Sequence, residues 1–176
     1  MNKRNFLKII SIIVIAIGIG SITFSKSNHN VNAASWGAKS LFTTPKATRG
    51  TWYYKEDGRI KHCKITAHTV DGRKLYKILP EKEYAKWENR VEHQNIKEHR
   101  KLISKINTIQ FQAYKLKWHG ITSFNTNDWV TGAGNGIYYV PVTKTRHRKK
   151  VKAIRFGSGA GNYFDRYGYK TKKLAR

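Results

Sequence analysis

Two Asp-Gly dipeptides, Asp57-Gly58 and Asp71-Gly72, sit between stretches of alternating polarity and constrain this chain more than any other feature. A two-residue hairpin loop of type I′ needs positive φ at both central residues, and Asp-Gly supplies that at low strain. Ahead of the first turn runs Arg49-Gly50-Thr51-Trp52-Tyr53-Tyr54. Gly50 gives the chain freedom to enter a strand. Trp52 and Tyr54 then share one face, because strand side chains alternate. Between the turns, Cys63, Ile65 and Ala67 have one parity and His62, Lys64, Thr66 and His68 the other, the pattern of a half-buried strand. Arg73 to Leu79 follows as a third strand. The segment 49–79 therefore reads as a three-stranded meander.

Pro80 closes it, and the character changes. Residues 81–107 lack Gly and Pro and are rich in good helix formers. Tyr84, Trp87 and Val91 form one apolar stripe; Ile96, His99, Ile103 and Ile106 form another on a shifted face. The stripe breaks near Glu92 to Asn95, which predicts a kinked helix or two short ones, an insert packed on the sheet or over a barrel mouth. Strand periodicity returns at Ile109, Phe111 and Ala113. Further strands are expected over Trp118–Phe124, Ile137–Lys144, Lys150–Phe156 and Asn162–Lys170. Asn125 to Asp128 carries turn chemistry, and Gly132–Gly136 and Gly157–Gly161 read as loops. The count is eight strands, three before the helical insert and five after it. The fold class is mainly β, a small antiparallel β-barrel with a helical insert. An open β-sandwich or an α+β sheet are the alternatives. With one cysteine, Cys63, no internal disulfide is possible, so the fold rests on its apolar core.

Residues 1–33 have the order of an export signal. Lys3, Arg4 and Lys8 precede an uncharged apolar run from Ile9 to Phe24, and Val31-Asn32-Ala33 offers small residues for cleavage before Ala34. An uncleaved anchor is the alternative, though the run is short for a span of about 20 residues. Residues 34–48 read as an entry segment and 49–176 as the barrel domain. Removal of residues 1–33 takes away Lys3, Arg4, Lys8 and Lys26 and no acids, which lowers the formal net charge from +25 to +21. Such a charge attracts polyanions and says little about fold. The expected address is extracellular, with loose association to the cell surface. The partners expected by charge are anionic wall polymers such as teichoic acids, or lipid headgroups. Export argues against nucleic acid, for which no recognition motif occurs. A monomer is expected.

Gly50-Thr51-Trp52 resembles the Gly-X-Trp opening of lipocalins and related calycins. That resemblance implies a barrel whose Trp lies at the closed end, covered by an Arg from near the last strand. The counterpart here is Arg166, in Tyr163-Phe164-Asp165-Arg166-Tyr167. It also implies an interior able to admit a small apolar ligand. The helical insert departs from lipocalins, which carry their helix after the last strand. The longer stretch Thr44 to Tyr53 is similar to the mature N-terminal region of small exported proteins of lactic-acid bacteria, which implies an address rather than an activity.

Catalytic chemistry finds little purchase. Of ten carboxylates, Asp57 and Asp71 belong to turns. Glu81, Glu83, Glu88, Glu92 and Glu98 lie on the helical segment, where Glu88 and Glu92 read as a solvated face pairing with Lys86 and Arg90. Glu56, Asp128 and Asp165 stand as singles. Cys63 shares the buried parity and reads as a small core residue. His62 with His68, and His93 with His99, are wrongly spaced for a metal, and neither glycine-rich stretch has the pattern of a nucleotide loop. No cofactor is expected. The strongest remaining signal is the basic run Lys144-Thr145-Arg146-His147-Arg148-Lys149-Lys150-Val151-Lys152 at an expected hairpin tip. Its Lys144, Arg146, Arg148, Lys149, Lys150 and Lys152 are candidate contacts to an anionic polymer. The same run equally suits a solvated turn that blunts a sheet edge. The function expected is a non-catalytic binding protein of the envelope. A hydrolase with a site at the barrel mouth, or a cationic effector acting on foreign membranes or host glycans, are the alternatives.

Overall fold

The computed structural model describes residues 40–93, 95, 97–98, 100–101, 104, 110–129 and 136–176. The signal segment and Trp36 lie outside them. The fold is a closed β-barrel of nine strands. In chain order these are β1 (Gly50–Glu56), β2 (Arg59–Ile65), β3 (Thr69–Val70), β4 (Arg73–Lys77), β5 (Gln110–Trp118), β6 (Ile121–Asn127), β7 (Ile137–Arg146), β8 (Lys149–Ser158) and β9 (Tyr163–Tyr169). The helix α1 (Glu81–Glu92) lies between β4 and β5. The pairing Tyr53↔Tyr169 between β1 and β9 closes the ring.

Both Asp-Gly turns form as their chemistry requires, with φ of 49° and 74° at Asp57 and Gly58 and 48° and 81° at Asp71 and Gly72. The expected second strand divides. β2 stops at Ile65, and β3 folds back on it through Ile65↔Val70. The hydroxyls of Thr66 and Thr69 lie 2.7 Å apart across that bend. This division gives nine strands rather than eight.

The barrel is mixed, not wholly antiparallel, because β4 and β5 run parallel, with Leu75 opposite Phe111. Parallel neighbours need a long crossover, and residues 78–109 supply one. Going once round a closed ring must restore the starting direction, so an odd strand number demands an odd number of parallel pairs. Within the crossover, α1 begins where the Pro80 carbonyl accepts the N–H groups of Glu83 and Tyr84. Glu81 and Glu83 in its first turn suit the positive end of the helix dipole. Most of the rest of the expected helical insert over 81–107 lies outside the described residues, as do the side chains of Glu88, Arg90 and Glu92.

Asn125 to Asn127, expected with Asp128 as a turn, extend β6; Trp118, expected to open that strand, instead ends β5, and the tight turn between the two strands falls at His119-Gly120. Asn125 and Thr126 are buried. Gly157 and Ser158, expected in a loop, end β8. The inward parity gathers Trp52, Cys63, Ile65, Leu75, Phe111, Phe124, Tyr139, Ile154 and Phe156 into one core. The entry segment also packs. Phe42 N–H donates to the Leu75 carbonyl and Lys77 N–H to that of Ser40, so residues 40–42 pair with the half of β4 that the two-residue β3 leaves unpartnered.

Candidate functional site

The strands leave a cavity of about 440 Å³ open at one end of the barrel. Its floor is aromatic: Tyr139 stacks on Phe124 at 4.5 Å and meets Phe156 edge-on at 5.7 Å. Tyr54 and Phe111 line the wall. The rim is charged. Glu56, Asp71, Asp128 and Asp165 face the cavity together with Arg73 and Arg166. Four of the five side-chain carboxylates outside the helical segment line this mouth; the fifth, Asp57, is the exposed turn residue after Glu56, 3.6 Å from Lys61.

Strand parity explains most of this. Trp52, Tyr54 and Glu56 point inward in succession, as do Phe124 and Thr126. Asp165 and Arg166 are consecutive yet both line the cavity, because the β8–β9 register slips between Phe156 and Gly157. A bulge of this kind re-aims a side chain. Glu56 pairs with Arg166 and with Lys61. Asp128 lies 4.0 Å from Arg73, whose guanidinium sits 3.6 Å from the Phe111 ring centre. Asp71 accepts the Lys64 N–H at 2.7 Å, and Asp165 accepts the Ser158 hydroxyl at 2.8 Å. Burial raises the Asp128 carboxyl above its usual range, against the pull of Arg73. Burial also pushes the Tyr139 phenol and the Cys63 thiol upward, and the Asp71 carboxylate adds to the effect on Cys63. Cys63 is thus a buried protonated wall residue. Among the described residues no group of three or more His, Cys, Asp or Glu is placed to hold a metal ion.

Trp52 closes the opposite end, 1% exposed, with its indole N–H donating to the Thr48 carbonyl at 2.6 Å. The cation over its ring is Lys170, whose Nζ stands 3.4 Å from the ring centre. Arg166, expected in that place, lies at the mouth instead, 5.0 Å from the Tyr54 ring. Arg166 follows the bulge on the cavity side, whereas Lys170 follows the end of β9 and can fold back on the start of β1. Gly50 enters β1 at φ 118°, a conformation L side chains rarely adopt, and a Cβ there would meet Lys170 Nζ at 2.5 Å. Beside Trp52 is a second cavity of about 480 Å³, with Lys46, Arg49, Lys152 and Lys170 around it.

The basic run does form a hairpin, turning at His147 and Arg148. It does not make one cationic face. Opposed residues in an antiparallel pair share a face. Lys144, Arg146 and Lys149 thus face one side with Val142 and Ala153, while Lys150 and Lys152 face the other. Lys144 and Arg146 are engaged. Lys144 Nζ is 4.5 Å from the Tyr167 ring centre, and Arg146 donates to main-chain oxygens of Leu174 and Arg176 at 3.1 and 2.7 Å. Arg148, Lys149 and Lys150 are exposed.

Sequence reasoning left Glu56, Asp128 and Asp165 as unrelated singles and gave Asp71 to a turn; ring closure brings the four together. The available signal was a charged residue at an inward parity: Glu56 after Trp52 and Tyr54, Arg73 before Leu75. No protein-family model, no curated protein and no solved structure matches this chain, so what the site does is argued from its own geometry.

Proposed function

We propose that the chain is an exported, non-catalytic binding protein. Its positive charge holds it at the anionic bacterial envelope, and its mouth cavity receives a small ligand. The observation that carries this reading is the cavity itself, about 440 Å³ in volume, with an aromatic floor and an edge of paired charges. That volume lies in the range of small-molecule sites, which join apolar walls to a few placed polar groups. The apolar ligand suggested by sequence becomes one with an apolar body and a polar head. Carboxylates that already hold arginines, a lysine, a backbone N–H or a hydroxyl support orientation of a ligand over proton transfer. A hydrolase is the second reading, favoured by the raised Asp128 carboxyl among three other carboxylates.

Native mass spectrometry of protein recovered from its producing cells tests the cavity. One small adduct is expected, and it should be absent from Ile137→Trp, which narrows the mouth at a rim residue 38% exposed. An adduct that survives this change would place the ligand elsewhere. Retention is tested by washing intact cells in 1 M salt, where the screening length falls to about 3 Å and charge-held protein should elute. Turnover of a model glycoside or ester that Asp128→Asn abolishes would favour the hydrolase.

A further inference from the structure

We propose that the cavity beside Trp52 is a second binding site, for a phosphate ester carrying a small apolar body. Four cations converge on it from three parts of the chain. Lys46 and Arg49 come from the 3-10 turn Lys46–Thr48 and the residue after it, Lys152 from β8, and Lys170 from the end of β9. Among the described residues no carboxylate lines it, and none of the four is in an ion pair. Like charges gathered without a counter-charge are unfavourable unless an anion arrives.

Lys170, though partly exposed, is drawn in over the cavity. Its Nζ donates to the Arg49 carbonyl at 2.9 Å and rests on the Trp52 ring. Burial, and then the nearby Lys152, depress its pKa, which agrees with a cation lacking a counter-ion.

The donors favour phosphate over carboxylate. Carboxylate recognition is best served by the free fork of an arginine. Arg49 has already committed that edge, Nε to the Thr44 hydroxyl at 3.2 Å and Nη2 to the Thr44 carbonyl at 2.7 Å. What remains are lysine point charges on separate sides of the cavity, which suit a group with several charged oxygens. Between them lies an apolar floor of Trp52, Ile121 and Pro141, the last on the same hairpin face as Lys152. Ile121 is 38% exposed, a large aliphatic side chain on a lining that also carries three lysines. The shared chemistry fits a soluble phosphomonoester or a phospholipid headgroup.

Titration calorimetry of the purified protein with phenyl phosphate, inorganic phosphate and phenol tests the site. Phenyl phosphate is expected to bind about tenfold tighter than inorganic phosphate, because its ring covers the apolar floor. Phenol should not bind. Lys152→Ser should weaken phenyl phosphate about fivefold, while Lys149→Ser, the same charge loss on the other hairpin face, should change it by less than about twofold. Ile121→Ser should weaken phenyl phosphate and leave inorganic phosphate unchanged. Both lysines are exposed, so neither change threatens the fold. Equal losses in the two lysine variants would reduce the effect to diffuse charge and overturn the proposal, as would equal affinity for the two phosphates. A competition arm with phosphatidylglycerol vesicles separates the sources. Displacement by phenyl phosphate upholds the site with a lipid headgroup as its ligand. Tight phenyl phosphate binding without displacement upholds it with a soluble ester.

Discussion

At the scale of single residues, the barrel's closed end depends on a missing side chain. A Cβ on Gly168 would stand 2.9 Å from Phe156 Cε2, 3.0 Å from Ile154 Cγ2 and 3.0 Å from Trp52 Cβ. These neighbours belong to a packed core, so none can move cheaply. Gly168→Ala is expected to lower stability by about 1–3 kcal/mol, read as a fall in the urea midpoint at constant slope. An unchanged midpoint would mean that Trp52 is looser than its 1% exposure implies. The inward Trp52 was legible from parity, since Trp52 and Tyr54 alternate with Thr51 and Tyr53. Its covering cation was not, because that depends on where β9 ends relative to β1.

Among the elements, the β7–β8 hairpin carries an avoidable strain. Arg146 pairs with Lys149, so the loop is two residues, and both have positive φ: 48° at His147 and 62° at Arg148. Histidine tolerates that region better than arginine does, but Asn and Gly adopt it most readily. The double change His147→Asn with Arg148→Gly should raise stability by about 0.5–1 kcal/mol in thermal or urea unfolding. A loss would show that the native turn makes contacts that offset its strain. The first meander was legible because Asp-Gly encodes its turns locally. The parallel β4–β5 pair was not. A strand's direction relative to a distant partner is set by where the crossover returns it, which no local pattern records. The mouth carboxylates escaped notice for the same reason: Glu56, Asp71, Asp128 and Asp165 are neighbours only once the ring closes.

For the molecule as a whole, ionisable groups are sorted by position. The surplus of cations is spread over the outside, while most carboxylates of the barrel gather at its mouth and the thiol and several phenols are wholly or partly buried. Burial raises the pKa of Tyr54, Tyr76 and Tyr139 and of Cys63, and pushes Tyr114 up to about 12. In the unfolded chain these groups lose their protons from about pH 9 for the thiol and about pH 10 for the phenols. Folded protein keeps them, so over that window it binds more protons than the unfolded state, and stability falls as pH rises. The contribution is complete below pH 9 and is lost above it. Lys170, with its depressed pKa, works the other way, but it is one group against five. Discharge of surface lysines also eases self-repulsion, and that effect is common to every variant. The informative quantity is therefore a difference between proteins. Tyr139 is 4% exposed, and its phenol has the Thr126 hydroxyl at 3.4 Å. Tyr139→Phe removes a titrating group while keeping the ring that stacks on Phe124. Between pH 7 and pH 10.5, wild-type protein should lose about 1 kcal/mol more than this variant in parallel urea titrations. Identical losses would show that the Tyr139 hydroxyl reaches water through the mouth and ionises in the folded barrel, so that the cavity floor is wet at that point.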